Sequence, residues 1–340
     1  MIGKTYRFSL YCSPKSINLL GHGISSTRNQ AFGGNSPDGG LGGSVLDKLE
    51  FLMALAREKH FGRAAEASGV TQPTLSAAIK QLEESLGVLL VNRGSRFQGF
   101  TPEGERVLDW ARRIVGDTRA MRAEVQSLQK GLTGRLRIAV VPTALPMVAQ
   151  ITTPYRAKYP DVQFTIWSRT SIEILDLLEN LEIDAGITYL DNEPVGRVST
   201  VPLYQEQYRL LTAADAPLGD RNQVTWAEVA KVPLCLLTPD MQNRRIIDGL
   251  LKNASGESRP TLESDSMILL FSHVRTGRWA SVMSAKVAET LGLTDTIRSI
   301  PIVEPEAVHT IGLVVPRRDP LTPLNAALVA EARRIAASFG

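Results

Sequence analysis

The chain has little cysteine, no long apolar run and almost no net charge, and each shortage removes a class of protein. Two cysteines, Cys12 and Cys235, stand in 340 residues, with no Cys-x-x-Cys pair and no histidine nearby to complete a metal set. That usage fits a reducing compartment, the cytoplasm, better than a disulfide-built secreted fold. Cys235 falls in the strand-like run Val232–Leu237, where a small buried hydrophobe is the simplest reading. No stretch approaches the ~20 apolar residues of a membrane-spanning helix, so no membrane partner is expected. Net charge is only +3, and the positive excess lies ahead of residue 135, which is weak support for nucleic acid. His22, His60, His273 and His309 are scattered. A nucleophile elbow, a Walker loop and a zinc-ligand spacing are all missing, so neither catalysis nor a cofactor is expected.

What is present divides the chain into parts. Residues 1–44 are glycine-rich without a sustained period, which points to a disordered extension; an added tag or a true start near Val45 fits equally well. Ser13, Pro14 and Lys15 interrupt its apolar stretch, against a secretory signal. From Val45 the pattern is helical, with Leu46, Leu49, Phe51, Leu52, Met53, Leu55 and Ala56 forming one stripe. A short helix over Arg63–Ser68 and a turn at Gly69 come next. Thr71 then opens a third helix as an N-cap, with Pro73 in its first turn. Leu75, Ile79, Leu82 and Leu86 share a core face of that helix. Pro73, Thr74, Ala77 and Lys80 stand opposite, as suits a helix entering a major groove or an ordinary surface helix. The stretch from Leu89 to Thr101 reads as a β-wing, with Arg93 and Arg96 at phosphate height.

A long helix from about Pro102 to about Lys130 carries Val107, Ala111, Ile114, Thr118, Met121, Val125 and Leu128 at alternating spacings of four and three. That is a dimerisation seam, or the buried stripe of a single packed helix. Beyond Gly134 strands alternate with helices. Strands are expected at Leu136–Val141, Val162–Ile166, Ile183–Ile187, Tyr208–Leu211, Val232–Leu237, Trp279–Met283, Ser299–Ile302 and Thr310–Val315. Such alternation implies an α/β class with a largely parallel sheet and ligands at the strand ends.

The run His60-Phe61-Gly62-Arg63-Ala64-Ala65-Glu66, Val70-Thr71-Gln72-Pro73-Thr74-Leu75-Ser76, Ile79, Leu82-Glu83, Leu86-Gly87, Leu90, Arg93 and Thr101-Pro102-Glu103-Gly104 resembles the LysR-type transcriptional regulators in residue type and spacing. The resemblance covers everything after the extension. It implies a winged helix-turn-helix over 45–104, a linker and dimerisation helix with hinge over 105–134, and an effector domain over 135–340. The last would be two-lobed, like periplasmic type II binding proteins, with lobe 1 at about 135–204 and 306–340 and lobe 2 at about 205–305.

Implied partners are promoter DNA, a small and anionic effector, and the chain itself as a dimer or a dimer of dimers, with RNA polymerase a further candidate. Arg63, Thr71, Gln72, Pro73, Thr74, Ser76 and Lys80 occupy the family's DNA-contacting positions, with Arg93 near the wing. Ala77 departs from the pattern, which usually has a large polar residue there, so base readout at that point should weaken. Thr143 and Thr170 match hydroxyl positions that hold effectors, and Ser171, Thr188, Tyr189, Thr238, Gln242 and Arg244 face the same cleft. Each Thr could instead be a plain N-cap, and Arg244 a partner of Asp240 or Asp248. Peroxide-sensing members use a cysteine pair in the effector domain, where this chain has Cys235 alone. A transport-type binding protein would explain the two lobes but not the helix-turn-helix.

Overall fold

The computed structural model describes residues 43–338, apart from Arg93, Ser95, Arg96, Asn192, 257–259 and Thr294. Nearly all of the glycine-rich extension, Cys12 and the two wing arginines therefore lie outside the described residues. The helix-turn-helix comprises α1 (Val45–Glu58), α2 (Phe61–Ala67) and α3 (Gln72–Leu86). Each starts on a side chain that accepts hydrogen bonds from the unpaired amides of the first turn. Ser44 and Asp47 form a capping box at α1, His60 Nδ1 accepts from the Gly62 and Arg63 amides, and Thr71 accepts from the Thr74 amide. Gly69, at φ +69°, makes the turn between α2 and α3.

Leu49, Leu52 and Leu55 from α1 pack with Ala64 and Ala65 from α2 and with Leu75, Ile79 and Leu82 from α3. Leu86, expected in that stripe, is instead 48% exposed, because α3 ends there against Gly87 and the apolar face loses its cover. Glu83 near the end of α3 holds the start of the wing, and Thr101 closes the wing at its base. The buried Glu83 carboxylate accepts from the Leu90 and Val91 amides at 2.8 and 3.2 Å, and the Thr101 hydroxyl donates to the Leu89 carbonyl. Val91 and Phe100 form a single antiparallel bridge at the base of the wing.

The long helix α4 (Pro102–Lys130) begins on Thr101 and divides its expected seam. Ala111 is fully buried in the helix-turn-helix core beside Leu108 and Val115, and Val107 is partly buried there. Ile114, Met121, Val125 and Leu128 are exposed, Leu128 at 82%. The first turns of α4 thus serve their own domain, and the later turns carry an uncovered apolar stripe.

The remaining chain is a two-lobed α/β assembly. Its elements are β1 (Gly134–Val140), α5 (Leu145–Lys158), β2 (Val162–Ser168), α6 (Ser171–Glu179), β3 (Ala185–Tyr189), β4 (Val198–Ala213), β5 (Val224–Thr225), α7 (Trp226–Val229), β6 (Cys235–Leu237), α8 (Gln242–Ser255), β7 (Leu262–Ser264), α9 (Met267–Val274), β8 (Ser281–Ser284), α10 (Ala285–Thr290), β9 (Ile297–Val303), β10 (Val308–Pro316) and α11 (Pro323–Ala336). The main sheet runs β2-β1-β3-β10-β4-β9-β5, with β8 also on β4.

It is mixed rather than largely parallel. β1 pairs β2 and β3 in parallel, but β10 pairs β3 and β4 antiparallel, as β4 does β8 and β9. The cause is that the chain passes between lobes on strands without intervening helices, so neighbours run in opposite directions. The 16-residue β4 is the main crossing: Val198–Gln207 pairs β10, whereas Tyr208–Ala213 pairs β8 and β9. One core gathers around β1, β3, α5 and α11, and two more lie around β6, β8, β9 and α8.

Gly104 sits where α4 presses on the wing, and a Cβ there would overlap the Leu90 carbonyl. Gly104→Ala should therefore cost ~1–3 kcal/mol through overpacking. The check is thermal unfolding of the helix-turn-helix, where an unchanged midpoint would contradict this packing.

Candidate nucleic-acid interface and effector cleft

The exposed side of α3 is built from its first turns. Thr71, Gln72, Pro73, Thr74, Ser76, Ala77 and Lys80 are all exposed, while Leu75, Ala78 and Ile79 face inward. Thr71 and Thr74 are hydrogen-bonded through their hydroxyls at 2.8 Å, so the capping residue also orients the next side chain on that face. Lys80 pairs with Glu84 at 3.5 Å, one turn on. Arg63 stands at the start of α2 with its guanidinium donating to the Glu58 carbonyl at 2.6 Å, which anchors it to the end of α1. The helix therefore offers amides, hydroxyls and one lysine along a single edge. Its small Ala77 adds no polar group there.

The cleft is centred on a phenol. Tyr189, at the end of β3, is fully buried, and its hydroxyl donates to Glu206 Oε1 in a short contact. Asn243 Nδ2 donates to the same hydroxyl at 3.2 Å, and Thr143 Oγ1 lies 3.1 Å from it. Four elements meet at that oxygen: the turn after β1, β3, the crossing strand β4, and α8 of the second lobe. Burial pushes the Glu206 carboxyl up to about 7, against the opposing pull of hydrogen bonds from Tyr189, Thr143, Asn243 and Ser284. Burial and the neighbouring Glu206 push Tyr189 well above the ordinary phenol range. No sequence signal marked Glu206, which lies between two glutamines in a run that does not read as a strand.

Beside this network lies a cavity of about 300 Å³. Ser171, Thr188, Tyr189 and Gln242 of the expected effector set line it, together with Asp176 and Glu193. Thr188 is buried, and its hydroxyl has no hydrogen-bond partner among the described residues. Gln242 Nε2 donates to the Asp191 carbonyl. Thr143 sits behind Tyr189 rather than on the cavity wall. Thr170 caps α6 in a capping box with Glu173, and the half-buried Thr238 lies outside the lining.

The two arginines of α8 part company. Arg244 turns into the second lobe, where Asp248, Glu263 and the Leu237 carbonyl take up its guanidinium. Arg245, one step around the helix, reaches across the cleft. Its Nε donates to Glu193 Oε1 at 2.8 Å and its Nη2 to Glu193 Oε2 at 2.9 Å and to Ser171 Oγ at 3.3 Å. A planar guanidinium fork held by the Glu193 carboxylate, beside the Ser171 hydroxyl at the start of α6, is an anion-recognition geometry already filled by the protein's own side chain. Sequence reasoning missed Arg245; the helical phase of α8 was the signal that could have found it.

Cys235 is buried, its sulfur facing the Leu270 and Ala280 carbonyls, and burial pushes its thiol up to about 11. Among the described residues no group of histidine, cysteine and carboxylate side chains could hold a metal ion, and no helix is long and apolar enough to cross a membrane.

The raised Glu206 carboxyl makes folding pH-dependent. Its proton is held more tightly in the folded state, so the stability it contributes is full below the unfolded value near 4.5 and is lost as pH rises through about 7. Glu206→Gln should remove that loss, raising stability at pH 8 by up to about 3 kcal/mol while changing little at pH 4.5. Denaturant unfolding at the two pH values checks this, and an equal effect at both would contradict it.

Comparison with known proteins agrees with both halves of the chain. A family model described as the LysR substrate binding domain matches residues 129–337, and one described as the bacterial regulatory helix-turn-helix protein, lysR family, matches residues 46–105. The chain is 29% identical over 274 residues to the DNA-binding transcriptional dual regulator OxyR of Escherichia coli K12, covering 80% of this chain and 90% of that one. It is 28% identical over 283 residues to the hydrogen peroxide-inducible genes activator of Haemophilus influenzae, covering 80% and 91%. Among solved structures, a full-length OxyR variant from Pseudomonas aeruginosa matches with a TM-score of 0.66 and 25% identity, over 86% of this chain and 99% of that one. The regulator CbnR, solved in complex with its target DNA, shares the fold at a TM-score of 0.54 and 21% identity, over 86% and 100%.

Proposed function

Since the chain belongs to the lysR family of bacterial transcription regulators, we propose that it grips promoter DNA through the exposed edge of α3 as a homo-oligomer and is switched by a small anionic metabolite bound between its lobes. On the DNA side, the first turns of α3 reach base edges with Gln72, Thr74 and Ser76, while Thr71, Lys80 and Arg63 serve the phosphates. The small, apolar Ala77 leaves room for a thymine methyl. The exposed stripe of Ile114, Met121, Val125 and Leu128 on α4 joins two copies.

One observation carries the effector half. The cleft holds a buried hydroxyl without a partner among the described residues, Thr188, beside a guanidinium fork, Arg245, whose carboxylate partner comes from the protein itself. A ligand carboxylate or phosphate displaces Glu193 from Arg245, takes the hydroxyls of Ser171 and Thr188, and resets the contact between the lobes. The names of the relatives suggest peroxide as a signal. A thiol switch finds poor support here, because a buried thiol held near 11 offers little reactive thiolate at neutral pH.

Replacing Thr74 and Lys80 together by Ala should weaken binding of the full chain to its own upstream DNA by about tenfold and lower the salt slope by about one. Fluorescence anisotropy at two salt concentrations reads both, with the unfolding midpoint unchanged. Equal affinity of the unaltered chain for upstream and scrambled DNA would refute the reading.

A further inference from the structure

A second cavity, of about 460 Å³, lies outside the cleft, where α4 meets the first lobe. Its wall carries Arg112 and Arg113 from α4, Arg197 just before β4, and Arg317 and Arg318 just after β10. Two carboxylates share that wall, Asp109 and Glu179. Guanidinium groups stay charged throughout the stable pH range, so the cluster cannot relieve its repulsion by losing protons.

The carboxylates present are already committed. Glu179 Oε1 accepts from Arg112 Nη1 at 2.6 Å, and Asp109 lies 3.5 Å from Arg112 Nη1 and 3.7 Å from Arg197 Nη1. Arg318 presses on the backbone of α4 at Gly116, where it donates to the carbonyl, and its Nε is 3.7 Å from Asp117. Arg112 Nε is buried with no partner among the described residues. Arg113 lies over the Trp110 ring at 5.2 Å, and neither it nor Arg317 forms an ion pair within the described residues.

We propose that this cavity is a second ligand site, which takes a small polyvalent oxyanion between Arg113 and Arg317 and so ties the linker helix to the effector domain. The planar forks match phosphate or carboxylate oxygens two at a time, and partial burial strengthens such bonds. The anion supplies the negative charge that the wall lacks. Because one arginine rides on α4 and the other comes after β10, a bound anion favours the arrangement in which helix and lobe are docked. The site also adjoins the cleft: Leu175 and Val195 line both cavities, so α6 separates two ligands that would each feel its position.

The test uses the full chain, with pyrophosphate and citrate as separate probes, each against sodium chloride of matched ionic strength. Titration calorimetry and thermal unfolding are run on the unaltered chain, on the double variant Arg113→Gln and Arg317→Gln, and on Arg245→Gln as the cleft control. Both altered positions of the double variant are exposed, so its unfolding midpoint in chloride should match the unaltered chain. At least one polyanion should bind beyond the chloride effect, with affinity falling about tenfold or more in the double variant and changing less than about twofold in Arg245→Gln. Binding of pyrophosphate alone assigns the phosphate class, and binding of citrate alone the carboxylate class. No binding beyond chloride, or binding lost in Arg245→Gln and kept in the double variant, overturns the proposal.

Discussion

The hydrogen bond from the Tyr189 phenol to the Glu206 carboxyl is the contact on which the effector domain turns. A buried carboxyl is expensive to keep charged, and each hydrogen bond it gains offsets part of that cost. Here Glu206 Oε1 accepts from Tyr189 at the end of β3, while Oε2 has no partner among the described residues. The same Tyr189 hydroxyl gathers Asn243 at the start of α8 and Thr143 after β1, and the register of β4 aims Glu206 inward. No single lobe supplies this set. The two lobes are therefore coupled through a polar centre rather than only through the strands that join them, and Tyr189 of that centre also lines the cleft cavity.

From that centre the structure extends outward along α6. Its first turn, with Ser171, borders the cleft and meets Arg245 from the opposite lobe. Its last turn, with Glu179, holds Arg112 of the linker helix at 2.6 Å. One nine-residue helix thus touches the cleft cavity at one end and the linker helix at the other. Its two ends lie within one short element, so a displacement of the first turn would need no long relay to reach α4.

How much of this was legible in the sequence depended on whether the information was local. The helix-turn-helix could be read because Leu75, Ile79 and Leu82 repeat at helical spacing between a threonine cap and a glycine stop, all within one element. The stripe failed at Leu86, where burial depended on neighbours rather than on phase. β4 was half missed because Gln205, Glu206 and Gln207 break its apolar pattern, and Glu206 is buried only through partners distant in the chain. Arg244, expected to face the cleft, turns into the second lobe, one step around the helix from the residue that reaches across. The sequence reading names Arg244 alone, and only the packing of α8 shows that its neighbour Arg245 crosses the cleft. Ser171, Thr188, Tyr189 and Gln242 line one cavity because hydroxyls and amides at helix starts and strand ends are where a two-lobed fold converges.

The most direct test of the central claim, that the Tyr189 hydroxyl joins the lobes, is amide hydrogen exchange on Tyr189→Phe. The variant keeps the ring and removes only the oxygen shared by Glu206, Thr143 and Asn243. Amides of Ala185–Tyr189 in one lobe and of the first turns of α8 in the other should exchange faster together, by about tenfold or more, while α3 is unchanged. Exchange left unaltered in both segments, or raised in β3 alone, would contradict that coupling.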